Sequence, residues 1–277
     1  MWRFVSRLCG VSLRWPSRCS DDFWGGNVVP GAVSEPCVSP HCSPGARVPN
    51  SASKHKFTIC VEGNIGSGKS TLLNYLAKFR EVEMVAEQLD KWRSIRGNNL
   101  LEMMYRDPCR WSYLFQSYVQ LTMAQSHAVS TTSPVKLMER SIHSACFCFV
   151  ENMYLNGKMS EAEYSVYWKW YKALTDSFDC RVDLIVYLRT DPKLVHARAK
   201  NRARVEEQEI PLEYFIDLHK LYEEWMSEEK FPLAAPVIIL DANDDLSTMY
   251  RKYNLITQEI MDNKSFLTSL VQPKISY

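Results

Sequence analysis

The chain has 277 residues, of which 46% are hydrophobic, and this is enough for one large α/β domain or two small ones. No window approaches the roughly 18 uninterrupted apolar residues of a membrane-spanning helix, so we expect no membrane partner. The formal net charge is only +1, and beyond residue 56 acidic residues slightly outnumber basic ones, which argues against the broad positive surface of a nucleic-acid-binding protein.

The amino-terminal segment is rich in arginine and has no acidic residue before Asp21. Four arginines alternate there with apolar residues: Arg3, Arg7, Arg14 and Arg18. A secretory signal would need an uninterrupted apolar centre, which these arginines break. We therefore expect residues 1–53 to hold a presequence for import into the mitochondrial matrix and a disordered spacer rich in Pro, Ser and Gly. The alternative is a disordered tail whose arginines have no targeting role.

From about residue 54 the chain alternates β-branched runs with helical stretches, which is typical of a mainly parallel sheet with helices on both faces. We predict one α/β domain over residues 54–265, with five strands: Phe57–Val61, Val82–Ala86, Val135–Met138, Leu184–Leu188 and Val237–Leu240. Helices should fill the intervals: Lys69–Phe79, Asn98–Arg106, Arg110–Ser130, Ile142–Asn156, Ser160–Phe178, Pro192–Ala203, Pro211–Glu229 and Leu246–Met261. Residues 266–277 give no functional signal.

A phosphate-binding loop follows the first predicted strand. The run from Gly63 to Ser70 matches GxxxxGK[ST] between a strand and a helix. In this motif backbone N–H groups converge on phosphate oxygens, Lys69 reaches the β- and γ-phosphates, and the Ser70 hydroxyl ligates Mg²⁺. We therefore predict that ATP binds to the loop residues Gly63, Asn64, Ile65, Gly66, Ser67, Gly68, Lys69, Ser70 and Thr71. A purely structural turn is the alternative, and the loop alone does not identify the phosphoryl acceptor.

Further motifs follow in order between Phe57 and Asp241. They are EGNIGSGKS (Glu62–Ser70), AEQLDKWR (Ala86–Arg93), MMYRD (Met103–Asp107), FQSYVQLTM (Phe115–Met123), MERSIHSA (Met138–Ala145) and RARVEEQEIPLEY (Arg202–Tyr214). In these motifs the chain resembles the deoxyribonucleoside kinases, which have a P-loop kinase fold with a short lid segment. The resemblance implies phosphorylation of a deoxyribonucleoside 5′-hydroxyl with ATP and Mg²⁺.

The resemblance places the catalytic residues at the carboxyl ends of strands, where parallel sheets bind ligands. Glu87 would be the general base for the 5′-hydroxyl. Glu139 would help to hold Mg²⁺, and Arg140 would join Lys69 in stabilising charge during transfer. A solvated Glu87 and a surface ion pair at Glu139 and Arg140 are the alternatives. Gln88 stands where these enzymes usually carry proline, so we expect a less rigid turn after the base.

The resemblance also implies a nucleoside pocket. Gln116 would read the base through its amide, with Phe149 stacking on the base and Trp92 closing the pocket. Tyr105 and Glu207 would hold the 3′-hydroxyl of the sugar. The predicted pocket residues are Glu87, Trp92, Met104, Tyr105, Gln116, Val119, Met123, Arg140, Ala145, Phe149 and Glu207. Without the family match, Phe149 would be read as a core residue of an amphipathic helix.

Two positions indicate the preferred base. In the deoxycytidine kinase branch of the family, an arginine and an aspartate stand at the positions of Met123 and Ala145. Both residues are uncharged here, and Ala145 leaves room for the 5-methyl group of thymine. We therefore expect thymidine and deoxycytidine as substrates, with purines disfavoured. Cys146 and Phe147 replace the usual Arg-Tyr pair of the family. If the arginine of that pair helps to hold a ligand, the substrate and the inhibitor will bind more weakly to this chain.

Three arginines, Arg198, Arg202 and Arg204, resemble the family's lid and would bind ATP phosphates. The alternative is a solvated basic helix end. The resemblance further implies feedback inhibition by a pyrimidine deoxynucleoside triphosphate and a homodimer, with the helix Arg110–Ser130 as a candidate interface. Two other functions stay open: a nucleoside monophosphate kinase, which would need more basic residues for the acceptor phosphate, and a nucleotide-binding regulatory module without catalysis.

Overall fold

The computed structural model describes residues 11–14, 56–228 and 230–271 of the chain. The expected spacer and most of the expected presequence lie outside these residues, so both stay predictions. Glu229, the last residue of one predicted helix, also lies outside them.

A central sheet organises the described residues. Its strands are β1 (Val11–Arg14), β2 (Phe57–Glu62), β3 (Val82–Val85), β4 (Val135–Glu139), β5 (Leu184–Arg189) and β6 (Val237–Asp241). They lie side by side in the order β1-β6-β5-β2-β4-β3. Strands β2 to β6 are parallel to one another, which confirms the five strands and the α/β fold expected from the sequence. The sequence analysis did not predict β1, which pairs antiparallel with β6.

Helices cover both faces of the sheet. They are α1 (Lys69–Leu76), α2 (Leu89–Arg93), α3 (Leu100–Arg106), α4 (Pro108–Ala128), α5 (Ile142–Ser144), a π-helix (Ala145–Val150), α6 (Glu151–Leu155), α7 (Glu161–Ser177), α8 (Pro192–Arg202), a 3₁₀ helix (Val205–Glu207), α9 (Leu212–Met226) and α10 (Leu246–Val271). The sequence analysis missed α2 and the 3₁₀ helix, and α10 runs ten residues beyond its predicted end. No helix among the described residues combines the length and apolarity needed to cross a bilayer.

The predicted helix Ile142–Asn156 was wrong in one respect, because a π-helix interrupts it. Cys146, Phe147 and Cys148 are buried in the core there, while the neighbouring Ala145 and Phe149 line a cavity. π-helical turns occur frequently at functional sites, where the wider turn redirects side chains. The sequence shows only a continuous apolar run at this point, from which the change of helix type cannot be read.

Capping residues explain where two long helices begin. The Asp107 side chain accepts a hydrogen bond from the Arg110 amide, and Pro108 occupies the first turn, so α4 starts two residues before its predicted start. Ser160 and Glu163 form a capping box at the start of α7. Both helices pack into the same apolar cluster on one face of the sheet.

The sheet is buried on both faces. Side chains of β2 alternate between the faces, because successive residues of a strand point in opposite directions. Cys60 packs into an apolar cluster with α3, α4 and α9. Ile59 and Val61 pack into a second cluster with α1 and α10. Because helices cover both faces, a ligand is expected beyond the carboxyl ends of the strands.

Candidate functional site

The loop between β2 and α1 has the backbone geometry of a phosphate cradle. Gly63, Gly66 and Gly68 have φ angles of 142°, 79° and 94°, which disfavour any residue with a side chain. A Cβ atom on Gly63 would lie 2.9 Å from the carbonyl oxygen of Leu188, and one on Gly66 would lie 2.7 Å from that of Val195. Gly68 caps the amino terminus of α1, so the free amides of that helix adjoin the loop.

Two polar side chains fasten this loop. The Asn64 amide donates to the carbonyl oxygen of Phe215 at 2.8 Å and accepts from the Ile65 amide, which ties the loop to α9. The Lys69 ammonium donates to two carbonyl oxygens of the loop at 2.8 and 3.2 Å. Burial, together with the positive charge of Arg140, lowers the pKa of Lys69 to about 7. A bound phosphate would stabilise the charged form of this lysine.

A cavity of about 1140 Å³ lies over the loop. Nine of the predicted ATP-binding residues line it: Gly66, Ser67, Gly68, Lys69, Ser70, Thr71, Arg198, Arg202 and Arg204. The opposite wall contains residues that the sequence analysis missed: Ala242, Asp244, Asp245, Leu246, Met249 and Tyr253. They follow the carboxyl end of β6, and that position was the available signal, because ligands of parallel sheets bind beyond strand ends. We call this space the donor cavity.

The lid arginines are held by neighbouring groups. Arg198 donates to the carbonyl oxygens of Ala242 and Asp244 at 3.1 and 3.2 Å, so it fastens α8 to the far wall of the donor cavity. Arg202 and Arg204 both pair with Glu207, whose side chain is buried. The predicted ligand of the sugar 3′-hydroxyl is therefore also the counter-ion of two arginines of the predicted lid.

Ser70 and Glu139 lie side by side at the edge of the donor cavity. The Ser70 hydroxyl is 3.3 Å from one carboxylate oxygen of Glu139. Both side chains present oxygen atoms, which Mg²⁺ prefers, and this ion usually takes one or two protein ligands together with phosphate and water. The two residues fit the magnesium ion predicted from the sequence.

A second cavity, of about 670 Å³, adjoins the first, and we call it the acceptor cavity. All the predicted nucleoside-binding residues line it: Glu87, Trp92, Met104, Tyr105, Gln116, Val119, Met123, Arg140, Ala145, Phe149 and Glu207. The sequence analysis did not assign Ile65, Leu89, Leu101, Phe115 and Tyr214 to this pocket. Lys69, Glu139, Arg202 and Arg204 line both cavities, so the two spaces meet at the phosphate-binding loop.

An ion pair occupies the junction of the cavities. Arg140 and Glu87 approach to 2.6 Å, and each side chain is only 9% exposed. The ring of Phe149 lies 5.0 Å from the same guanidinium group. Glu87 follows β3 and Arg140 follows β4, so two adjacent strand ends bring them together. A carboxylate in this position can accept a hydroxyl proton, and the guanidinium group can stabilise negative charge beside it.

The base end of the acceptor cavity is mostly apolar. Gln116 is buried, and within the described part of the chain its side-chain oxygen has no hydrogen-bond partner. A buried amide oxygen of this kind can accept a hydrogen bond from a ligand. Met123 and Ala145 are also buried and uncharged. The Trp92 indole donates to the Thr122 hydroxyl at 2.9 Å, which fixes this wall of the cavity.

The two departures from the family pattern lie in different surroundings. The Gln88 side chain donates to the carbonyl oxygen of Ala86 at 3.0 Å, which bridges the turn after Glu87. Cys146 is fully buried in the apolar core and lines neither cavity. The expected effect of Cys146 on ligand affinity stays a prediction.

A glycine-rich phosphate cradle whose lysine is shared by a donor and an acceptor cavity defines a P-loop kinase that acts on a small molecule. The model of the deoxynucleoside kinase family matches residues 59–265, and the chain belongs to this family.

Curated relatives support the same assignment. Human mitochondrial thymidine kinase 2 is 48% identical over 195 residues, which cover 70% of this chain and 74% of that protein. The Macaca fascicularis protein of the same name is 46% identical over 199 residues, which cover 72% of this chain and 75% of that protein. Deoxycytidine kinase 2 of Gallus gallus is 34% identical over 257 residues, which cover 82% of this chain and 96% of that protein. The chain is therefore a deoxynucleoside kinase.

Proposed function

We propose that this kinase transfers the γ-phosphoryl group of ATP to the 5′-hydroxyl of thymidine and deoxycytidine. The observation that carries the proposal is the junction of the two cavities, where Lys69 and Glu139 line both. A nucleoside in the acceptor cavity would present its 5′-oxygen to a nucleotide phosphate in the donor cavity, and such positioning supplies much of the catalysis of phosphoryl transfer.

Each residue at the junction has a role in this reaction. Glu87 accepts the proton of the 5′-hydroxyl as its oxygen attacks phosphorus. Arg140 and Lys69 stabilise the negative charge of the transferring group, and Arg202 and Arg204 exclude water above it. Mg²⁺, held by Ser70 and Glu139, would neutralise phosphate charge.

The acceptor cavity favours a pyrimidine. The amide of Gln116 has both a donor and an acceptor, so it can match the edge of thymine or, after a flip, that of cytosine. The neighbouring Met123 and Ala145 introduce no charge. Tyr105 and Glu207 bind the 3′-hydroxyl of the sugar. The names of the relatives, which include both thymidine and deoxycytidine kinases, agree with this pair of substrates.

We also propose that the enzyme works in the mitochondrial matrix, where its monophosphate products supply precursors for DNA synthesis. The arginine-rich amino terminus supports this location, and two relatives carry "mitochondrial" in their names.

Two regulatory features belong to the same proposal. A pyrimidine deoxynucleoside triphosphate can inhibit the enzyme by placing its nucleoside in the acceptor cavity and its phosphates in the donor cavity. The chain also forms a homodimer through α4 and α7, which pack against each other and expose apolar side chains: Leu114, Leu121, Val166 and Trp170.

A phosphoryl-transfer assay tests the proposed reaction. The full chain receives Mg·ATP and, separately, thymidine, deoxycytidine, deoxyadenosine, deoxyguanosine or thymidine monophosphate. We expect turnover largely confined to the two pyrimidine nucleosides. Glu87→Gln should lower kcat by about 100- to 10,000-fold, because the amide cannot accept the proton. Glu102→Gln, a change of the same kind on the outer surface of α3, is the control.

Other outcomes would reject parts of the proposal. Preference for purines would contradict the interpretation of Met123 and Ala145. Turnover of thymidine monophosphate would identify a nucleoside monophosphate kinase. ATP binding without transfer to any acceptor would identify a regulatory module.

A further inference from the structure

One buried carboxylate lies beside the site without lining either cavity. Glu62 is the last residue of β2 and is completely buried immediately before the phosphate-binding loop. It accepts hydrogen bonds from the hydroxyl groups of Ser141, at 2.7 Å, and Tyr222, at 3.3 Å. Burial raises the pKa of this carboxyl to about 7. Burying a carboxylate is costly, so we looked for contacts that Glu62 makes with residues of the site.

Glu62 contacts the turn after β4, which contains Arg140 and Ser141. Arg140 has a φ of 61°, in the left-handed region that is unfavourable for a residue with a side chain. Such a conformation persists only where surrounding contacts hold it. The Arg140 amide donates to the carbonyl oxygen of Val61 at 3.0 Å, and the next residue, Ser141, donates to Glu62. Two consecutive residues of β2 thus hold both sides of the turn.

The turn decides where the guanidinium group lies. One Arg140 nitrogen contacts Glu87 at 2.6 Å, and within the described residues the Nε atom has no hydrogen-bond partner. A second nitrogen lies 3.5 Å from the carbonyl oxygen of Gly63, at the outer limit of a hydrogen bond, so the backbone of the turn contributes to the direction of the side chain. An altered turn would move the guanidinium group away from the junction of the cavities.

We propose that Glu62 is a positioning residue, which anchors the Ser141 hydroxyl and so directs Arg140 at Glu87 without touching a substrate. This inference rests on the proposed function only in that Arg140 acts during phosphoryl transfer. It adds a residue of β2 to the machinery of the site, beside the residues that face the two cavities.

Steady-state kinetics of the full chain test the proposal, with whichever deoxynucleoside the wild-type enzyme turns over fastest as acceptor. This choice separates an error in the inferred substrate from an error in the role of Glu62. Ser141→Ala and Glu62→Ala should each lower kcat by about 10- to 100-fold, because a displacement of the order of 1 Å can cost that much. The KM values for nucleoside and ATP should change by less than about threefold, since neither residue contacts a ligand.

Three further variants separate positioning from a general loss of structure. Ser141→Thr keeps the hydroxyl group and should retain kcat. Ser160→Ala, which removes a hydroxyl cap from α7, should leave kcat unchanged. In an Arg140→Gln background, Ser141→Ala should cause no additional loss, because the anchor acts through Arg140.

Two results would overturn the proposal. One is a Ser141→Ala enzyme with kcat within about threefold of the wild type. The other is an equal loss of kcat with and without Arg140, which would show that Ser141 and Glu62 act independently of that side chain. Thermal unfolding of each variant confirms that the measured enzyme is folded, and Glu62→Leu, which fills a similar volume but has no acceptor, replaces Glu62→Ala if the latter unfolds.

Discussion

At the scale of single residues, the site depends on charges that are buried in pairs. Arg140 and Glu87 lie together between the cavities, and the buried Glu207 pairs with both Arg202 and Arg204. Breaking a buried pair leaves one charge uncompensated, which is costly. The base end of the acceptor cavity is the exception, because Met123 and Ala145 there carry no charge. These two residues lead to a prediction about substrate specificity.

Charges introduced at the base end should change the preferred nucleoside. The double variant Met123→Arg, Ala145→Asp fills the space beside the thymine 5-methyl group and adds two hydrogen-bonding charges. We expect the ratio of kcat/KM for thymidine to that for deoxycytidine to fall by about 100-fold or more, because a clash and a lost apolar contact each cost 1–3 kcal/mol. Competition assays with both nucleosides and with deoxyadenosine measure this ratio.

A surface variant controls for the added charge. Met84→Arg places an arginine on an exposed part of β3 and should leave the ratio unchanged. An unchanged ratio in the double variant would show that Met123 and Ala145 do not set the base preference.

The sequence motifs supplied residues that the structure brings together. Gln116, Tyr105 and Glu207 all line the acceptor cavity, and their roles stay predictions. The partners of Arg198 could not be predicted, because they are backbone carbonyl groups brought near by the packing of α8 against the loop after β6. The sequence analysis named Glu62 only as the first residue of the EGNIGSGKS motif. Its proposed positioning role depends on a turn almost 80 residues away in the sequence.

At the scale of elements, two histidines, of which His127 is buried, join three helices. The His127 Nε2 atom, in α4, accepts from the Ile142 amide at the start of α5, at 3.2 Å. His143 of α5 contacts the Tyr171 hydroxyl of α7 at 2.7 Å. Burial lowers the pKa of His127 to about 3 and that of His143 to about 4. Both rings are therefore neutral in the folded protein at neutral pH.

Mild acid should destabilise this junction. Because the pKa of His127 is lower in the folded than in the unfolded chain, the unfolded chain takes up the proton first as the pH falls below 6.5, and folded stability is lost from there downwards. His127→Gln keeps an acceptor that cannot be protonated, so between pH 6.5 and 5 the wild type should lose about 1.5 kcal/mol more than the variant. Urea unfolding at each pH measures both.

A second histidine variant checks this interpretation. His219→Gln makes the same change on α9, apart from the α4–α5 junction, and it should leave the pH dependence like that of the wild type. Parallel pH dependences for His127→Gln and the wild type would contradict the prediction.

Predictions of strands and helices failed where contacts distant in sequence determine the local structure. The five parallel strands were found because each is a short β-branched run bounded by polar residues. β1 was missed because its four residues have no strand pattern strong enough to outweigh an arginine-rich context. Its strand partner among the described residues, β6, lies over 220 residues away. The π-helix was missed because helix type is not encoded in apolar spacing alone.

At the scale of the whole molecule, α4 connects the site with the outer surface. Its inner side carries Gln116, Val119 and Met123 into the acceptor cavity. Its outer side exposes Leu114 and Leu121, and α7, which packs against α4, also exposes apolar side chains. A helix with apolar residues on both sides is expected where both sides are covered, and the proposed second copy of the chain would cover the outer one.

Charged residues on this outer surface should separate the proposed dimer. Leu121→Glu combined with Trp170→Glu would bury negative charges in the interface. In a two-fold dimer both copies contribute the same patch, so these negative charges would repel one another. In sedimentation velocity we expect the wild type to be a dimer and the double variant a monomer at micromolar concentration. Leu155→Glu, which changes an exposed leucine at the end of α6, is the control and should stay dimeric. A monomeric wild type, or a double variant that sediments like the wild type, would exclude this surface as the interface.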